Sequence, residues 1–330
     1  MDKIRLGLLG CGSWGPRYAL ALQDNPAAEL AVAADLDIEK AQRIAGAAPR
    51  ARAVADPQEL YQAADVDGIL IVTPTPTHRM LACAALQAGK HVLVEKPLGL
   101  NLAEARAIVA AARQAGRTLM VGQILRFMPT FDELRRRVQT GEIGDVLRVT
   151  EDRYGQFRQD AWPDWWQRMY GFLLFHLGTH SIDASLWATG ARPAWAFAQG
   201  LARQVNPQYG AIDAFGLLVG CVGDVQVTLN HETIGGPHSL RQHLKIIGTR
   251  GVLEIKQFNQ LIQNDQLVLE VGADLYPGAI LAEVNEFARA IRSGSEPSVA
   301  GRDVLATAAA LDAGARSLRS DIRETVEPYE

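Results

Sequence analysis

The feature that most constrains this chain is its opening, where the apolar run Ile4-Arg5-Leu6-Gly7-Leu8-Leu9 passes directly into Gly10-Cys11-Gly12-Ser13-Trp14-Gly15. A strand that ends in a G-x-G-x-x-G turn and then enters a helix is the start of a dinucleotide-binding βαβ unit. Gly10 permits the tight turn, Gly12 lets the backbone approach a pyrophosphate, and Gly15 lets the helix pack closely on the strand. With Ser13 and Trp14 at the turn, the first helical residues offer free N–H groups and a positive dipole end to phosphates.

The next strand, Leu30–Ala34, ends at Asp35-Leu36. A carboxylate there accepts hydrogen bonds from the ribose 2′- and 3′-hydroxyls and repels a 2′-phosphate. Asp37 adds to the repulsion, and the nearest bases, Lys40 and Arg43, fall in the following helix. NAD(H) is therefore the expected cofactor rather than NADP(H).

The first third continues the alternation. Strands are expected at Ile4–Leu9, Leu30–Ala34, Gly68–Val72, His91–Val94 and Thr118–Val121, with helices at Pro16–Gln23, Ile38–Gly46, His78–Ala88 and Leu102–Ala115. Short, wholly apolar strands separated by longer helices specify a parallel sheet buried on both faces, and right-handed crossovers make it doubly wound. Beyond about residue 125 the strands lengthen: 145–154, 195–203, 211–220, 224–232 and 241–247. Val225, Val227 and Leu229 alternate with Gln226, Thr228 and Asn230, the period of an antiparallel sheet with one packed face. Helices are expected at 176–188, 278–292 and 302–319. The expected architecture is α/β: a Rossmann domain with a doubly wound parallel sheet over residues 1–123, and an α+β domain with a large, mostly antiparallel sheet over 124–330. The last helix is expected to return toward the first domain.

A length of 330 residues suits two such domains, and 48% apolar with 21% charged residues is a globular composition. A formal charge of −4 gives no basic field for a phosphate backbone, so no nucleic-acid partner is expected. The N-terminal residues enter a strand without an apolar leader, and no apolar run is long enough to span a bilayer, so no membrane partner is expected either. Cys11, Cys83 and Cys221 are scattered and odd in number, which fits a reducing cytoplasm.

Two strand ends carry further chemistry. Thr73-Pro74-Thr75-Pro76-Thr77-His78 follows the third predicted strand, where prolines keep the backbone extended beside the ligand crevice. Thr77 is a candidate cap for the next helix, and His78 is placed near the ribose and phosphates rather than in catalysis. Glu95-Lys96-Pro97 follows the fourth, which puts a lysine at the sheet edge where ligands bind.

These residues resemble the Gfo/Idh/MocA oxidoreductases. The motif Gly89-Lys90-His91-Val92…Glu95-Lys96-Pro97 carries the resemblance. Thr73-Pro74…His78, Gly122-Gln123…Arg126-Phe127…Pro129, Gly141-Glu142-Ile143-Gly144, Gly178-x-His180-x-x-Asp183 and Gly248-Thr249-Arg250-Gly251 follow in the same order across nearly the whole chain. The resemblance implies hydride transfer between a nicotinamide and the carbinol carbon of a sugar, cyclitol or related polyol. It also implies a C-terminal sheet that pairs copies into homodimers or homotetramers. Lys96 would lie beside the reacting oxygen and His180 would carry the proton; Glu95, Lys96, Pro97 and Gln123 would border the cofactor, and Arg126 the substrate.

Oxidising an alcohol requires a proton to leave oxygen as hydride leaves carbon. A histidine suits that transfer because its ordinary pKa of ~6.5 lies near neutrality, and an ammonium group stabilises the developing alkoxide. His176 departs from the family pattern, in which an aspartate commonly stands four residues before the histidine. At i and i+4, His176 and His180 share a helix face, so His176 is a candidate substrate ligand or second proton carrier. Two histidines are one ligand short of a zinc site, so no metal is expected; Asp183, a turn further on, is a substrate-site or buttressing candidate. Trp162 and Trp166 are candidates for a ring that lines a sugar pocket, and Arg153 for an anionic substrate group. Two rival readings stay open. One is a retained NAD used for transient oxidation in glycoside cleavage, elimination or epimerisation; the other is a non-catalytic dinucleotide sensor.

Overall fold

A computed structural model describes residues 2–155, 173–201, 212–233, 240–272 and 274–329. Its contacts divide the chain into two units, residues 1–127 with 276–305, and residues 128–275 with 306–330.

The first unit contains β1 (Ile4–Leu9), α1 (Gly15–Leu22), β2 (Ala28–Ala34), α2 (Ile38–Ala45), β3 (Arg52–Val54), α3 (Pro57–Gln62), β4 (Gly68–Ile71), α4 (His78–Gln87), β5 (His91–Glu95), α5 (Leu102–Ala115) and β6 (Leu119–Gly122). All six strands are parallel, in the order β3-β2-β1-β4-β5-β6. The order reverses beside β1, which places a switch point at the C-terminal ends of β1 and β4, where such sheets bind ligands. Leu6, Leu8, Ile69, Leu70, Ile71, Val92, Leu93 and Val94 are closed to solvent, because helices cover both faces of the sheet. Helix α5 is bounded by local chemistry. Asn101 accepts the Glu104 amide at its start, and Gly116 takes the left-handed conformation at its end.

The second unit contains α6 (Pro129–Gln139), β7 (Val146–Gly155), a π-helical turn at Leu174–Gly178 that leads into α7 (Thr179–Thr189), β8 (Pro193–Leu201), β9 (Ala214–Cys221), β10 (Gln226–Thr233), β11 (Arg241–Gly248), β12 (Val252–Lys256), β13 (Gln260–Gln263) and β14 (Gln266–Glu270). Helix α8 (Tyr276–Ser293) follows in the first unit, then α9 (Leu305–Ser320) and β15 (Glu324–Thr325) in the second. The nine-stranded sheet runs β14-β13-β12-β11-β7-β10-β9-β8-β15 and is antiparallel except where β7 meets β10. The period of two in β10 holds: Val227, Leu229 and His231 are buried. The paired glycine motifs of the sequence meet in this unit. The Arg250 amide donates to Ile143 O at 2.8 Å, and its guanidinium donates to Gly141 O at 2.6 Å.

The helix that joins the first unit is α8, not the last one. Phe287 packs against the bare Cα of Gly68 in β4, whereas α9 stays in the second unit, where Ser317 Oγ accepts the Ala198 amide at 2.9 Å. Elements β3, α3, α6 and β12–β15 lie beyond those expected from the sequence.

Candidate active site

At the first glycine turn, Gly10 has φ +100°, and a Cβ there would stand 2.6 Å from Val72 O. A Cβ on Gly15 would stand 2.6 Å from Gly10 O, so only glycine lets α1 start this close to the strand end. Gly12 and Ser13 are exposed, and no acid occupies the first turn of α1. Asp35 Oδ2 accepts the Cys11 amide at 2.7 Å and Oδ1 accepts the Asp37 amide at 2.9 Å, which holds the acid against the turn. Lys40 Nζ is paired with Asp37 at 3.0 Å, leaving its charge neutralised in place. Leu36, next to Asp35, is 89% exposed, an apolar surface beside the acid. Trp14 stands edge-on to Tyr276 at 6.1 Å, with the Arg17 guanidinium 4.5 Å above its ring. Exposed turn amides, a fixed acid and a glycine-only cradle fit NAD; they would hold its pyrophosphate and ribose.

The loops after β4 and β5 are tied together. His78 is 1% exposed; its Nδ1 lies 2.9 Å from Pro97 O and its Nε2 2.8 Å from Thr73 O. Its expected place beside the cofactor is therefore corrected: the ring is closed to solvent between two loop carbonyls, to at least one of which it donates, and His78 acts from behind the site. Burial pulls its pKa down against the pull of those two carbonyls. Thr77 makes no helix cap; its hydroxyl donates to Pro74 O at 2.6 Å and lies 2.8 Å from Thr73 Oγ1. Thr73 and Thr75 are half-buried and Pro74 is exposed, so this segment keeps an open edge.

Lys96 is half-buried at the end of β5, while Pro97 is buried. The Glu95 carboxyl faces inward. Its Oε2 accepts the Lys96 amide at 3.0 Å, and its Oε1 lies 2.7 Å from the Tyr18 hydroxyl. Glu95 thus braces the lysine-bearing turn from within. The same hydroxyl lies 2.7 Å from Glu283 Oε2, on α8. Tyr18 and Glu283 belong to this cluster but escape sequence reasoning; the one local signal is an acid on the apolar face of α8, between Ile280, Val284 and Phe287. Gln123 and Arg126, just after β6, are 2% and 9% exposed.

In the second unit, every residue from Leu173 to Leu186 is buried except His176 and His180. The wide turn Leu174–Gly178 and the start of α7 therefore open to solvent only at the two imidazoles. His180 Nδ1 is itself closed to solvent. Asp183 is 1% exposed and accepts Thr307 Oγ1 at 3.1 Å, so it buttresses α7 instead of meeting substrate. Arg153 is likewise corrected. It is 3% exposed, its Nη2 stands 3.1 Å from Glu151 Oε1, and its guanidinium lies 5.1 Å from the Phe258 ring centre. Gln242 Nε2 donates to the same Glu151 oxygen at 3.0 Å, and His231 Nε2 lies 3.6 Å from the other oxygen and 3.2 Å from Ser181 Oγ. Burial pushes Glu151 up, but Arg153, His231 and Ser181 outweigh it and take its pKa to about 2. Trp162 and Trp166 lie outside the described residues.

Comparison with known proteins places these features. Residues 4–123 match the oxidoreductase family with an NAD-binding Rossmann fold, and residues 131–254 match the GFO/IDH/MocA C-terminal domain. The scyllo-inositol 2-dehydrogenase (NAD(+)) of Bacillus subtilis (strain 168) is 28% identical over 319 residues, 91% of this chain and 90% of that protein. The inositol 2-dehydrogenase of Rhizobium meliloti (strain 1021) is 28% identical over 327 residues, 96% of this chain and 97% of its own. The crystal structure of a myo-inositol dehydrogenase from Corynebacterium glutamicum ATCC 13032 superposes with a TM-score of 0.83 at 25% identity, covering 99% of this chain and all of that one (100%). With the glycine turn, Asp35, Glu95-Lys96-Pro97 and the antiparallel second sheet in place, the chain belongs to the GFO/IDH/MocA family of NAD-binding oxidoreductases.

Proposed function

We propose that the protein is an NAD(H)-dependent dehydrogenase of a sugar, cyclitol or related polyol, with Lys96 and His180 as its catalytic residues. The observation that carries the reading is the solvent opening of His176 and His180 in an otherwise buried run, in a chain that also carries a lysine at the end of β5. Bound NAD supplies the hydride acceptor. Asp35 accepts the ribose hydroxyls, and the amides of the Gly10–Gly15 turn hold the pyrophosphate. The Lys96 ammonium orients the carbinol and stabilises its developing alkoxide; His180 takes the hydroxyl proton at Nε2 and returns it in the reductive direction. His176 binds a neighbouring hydroxyl of the substrate. The names of the relatives favour a cyclitol as the first substrate to try.

The test is NADH formation with a panel of inositols and sugars. Net NADH accumulation supports the reading, and substrate turnover without it indicates transient oxidation. Lys96→Ala and His180→Ala should each lower kcat/KM by about 10²–10⁴-fold. An unchanged value in either variant removes that residue from the mechanism.

A further inference from the structure

Tyr18 and Glu283, both buried, form with the half-buried Glu95 a three-member cluster that hydride transfer does not require. One phenolic oxygen lies 2.7 Å from a carboxyl oxygen on each side. Tyr18 and Glu283 are both wholly closed to solvent. A phenol has a single hydrogen, so it donates to one carboxyl only; the other contact is a hydrogen bond only if that carboxyl carries a proton and donates to the phenolic oxygen. The surroundings decide which acid is neutral. Glu95 receives the Lys96 amide at 3.0 Å as well as the phenol. Glu283 Oε1, in contrast, has no hydrogen-bond partner among the described residues. An ion left that bare in the interior is far costlier than a neutral acid.

We propose that Glu283 is a neutral acid donating to Tyr18, that Tyr18 donates to an ionised Glu95, and that this one-way chain positions Glu95 as the fixed counter-charge of Lys96. The proposal rests on the catalytic reading of Lys96 given above. Tyr18 comes from α1, Glu95 from β5 and Glu283 from α8, so three elements of one unit converge on the turn that bears the lysine. Gly122 of β6 makes room for the cluster, since a Cβ there would stand 3.2 Å from the Glu95 carboxyl carbon. The charged groups on the elements packed around it include Lys96, Arg17 on α1, Glu286, Arg289 and Arg292 on α8, and Arg126 in the turn Ile124–Phe127 that contacts α8; Arg17 lies over the Trp14 ring and Glu286 pairs with Arg289. Burial lifts both carboxyls, Glu283 far above the ordinary range, with the Glu95 charge adding to its rise. For Glu95, the Lys96 charge and the Tyr18 hydroxyl oppose that lift. The three groups are positioning residues; none is assigned a contact with substrate.

Infrared spectroscopy of the whole protein without cofactor or substrate tests the proton's location independently of turnover. The expected wild-type spectrum keeps the carbonyl stretch of an un-ionised carboxylic acid well above the usual glutamate range. That band should vanish in Glu283→Gln and persist in Glu95→Gln. Absence of the band in wild type overturns the assignment without needing any variant to fold, and so does a band lost in Glu95→Gln but kept in Glu283→Gln.

The pH profile of kcat/KM, taken in a His180→Gln background so that His180 does not set the acidic limb, tests the link to Lys96. Tyr18→Phe should move the acidic limb upward by about one unit, the size of one lost charge-assisted hydrogen bond. Glu283→Leu, which cannot donate, should shift it in the same way, and Glu283→Gln, whose amide can, should largely restore it. A limb that stays put in both Tyr18→Phe and Glu283→Leu reduces the cluster to packing and overturns the positioning role. Failure of the catalytic reading has a different signature, full activity in Lys96→Ala with the infrared band still present.

Discussion

The Asp35 carboxylate accepts the backbone amide of Cys11 at 2.7 Å, so the acid proposed to read the ribose is tied directly to the turn proposed to receive the phosphates. Replacing Asp35 therefore has two effects: it removes the hydroxyl acceptor, and it releases an amide of the glycine turn. Hydrogen bonds to a charged partner contribute about 1.5–3 kcal/mol, which corresponds to roughly 10- to 150-fold in affinity. Asp35→Ala should raise the KM for NAD within that range while kcat changes little. Its preference for NAD over NADP should fall as well, because the repulsion of a 2′-phosphate goes with the carboxylate. Steady-state kinetics with both cofactors checks this, and an unaltered KM for NAD would sink the ribose assignment.

Glu151 and Arg153 predict an acid-sensitive second unit. Glu151 is held at about 2 in the folded protein against an ordinary value of 4.5. Because the folded pKa is depressed, its stabilisation is present above about pH 4.5 and is lost as the pH falls toward 2. The difference corresponds to about 3 kcal/mol. Glu151→Gln should flatten the acid limb of thermal stability over that window. Glu151→Ala leaves a buried guanidinium without its carboxylate and should cost about 3–5 kcal/mol at neutral pH. Thermal melts from neutral to acid pH distinguish the two.

Glu283 has the opposite sign. Its folded pKa is raised far above 4.5, so the stability it contributes is fully present below that value and is lost as pH rises through the native one. Glu283→Gln carries no such proton linkage. The variant's melting temperature relative to wild type should therefore climb with pH above about 4.5, and Glu95, present in both proteins, largely cancels. A constant gap between the two proteins across neutral and alkaline pH would count against a neutral Glu283.

How far the sequence reveals this molecule depends on the range of the interaction. Strands β1, β4, β5 and β6 are legible because burial on both faces demands continuous apolar runs, and the helices between them carry their own end signals. Asp56-Pro57 is such a signal too: Asp56 accepts the Gln58 amide at 2.8 Å to start α3, although α3 and the three-residue β3 are short enough to escape notice. The hairpin between β13 and β14 turns on Asn264-Asp265, both left-handed, a readable pair between strands too short and polar to stand out. Gln257 and Phe258 are also left-handed, without glycine or asparagine to announce it. Tertiary contacts hold that turn: Thr130 Oγ1 donates to Phe258 O at 2.5 Å, and the Phe258 ring stacks on Phe131 at 6.4 Å.

The site divides in the same way. Gly10, Gly15, Asp35 and Lys96 sit at fixed offsets from strand ends, and the parallel sheet converts those offsets into position. Arg153 and Asp183 are charged residues in stretches with functional neighbours, and nothing local distinguishes a ligand contact from a buried pair. Their partners decide, and Glu151 and Thr307 come from the sheet interior and from α9. Tyr18 and Glu283 meet across 265 positions of sequence, a separation that no periodicity encodes.

His176 gives the last prediction. It shares the open face of its helix with His180, yet it occupies the position where an acid is expected from the family pattern. An imidazole and a carboxylate differ in what they ask of a hydroxyl. The carboxylate only accepts, whereas a neutral imidazole donates at one nitrogen and accepts at the other. His176 can therefore meet a hydroxyl as donor or as acceptor, and can also donate to an oxygen that only accepts, such as a carbonyl or carboxylate. His176→Ala should raise KM by about 5- to 10-fold, one neutral hydrogen bond of roughly 1 kcal/mol, with a smaller effect on kcat than His180→Ala. His176→Asp should shift the substrate ranking toward polyols whose hydroxyl donates at that position and away from substrates that present only an acceptor there, such as a carbonyl or carboxylate oxygen. Kinetics across an inositol and sugar panel decides the matter: equal losses in kcat for the two alanine variants would make His176 a proton carrier, and an unchanged substrate ranking in His176→Asp would remove it from recognition.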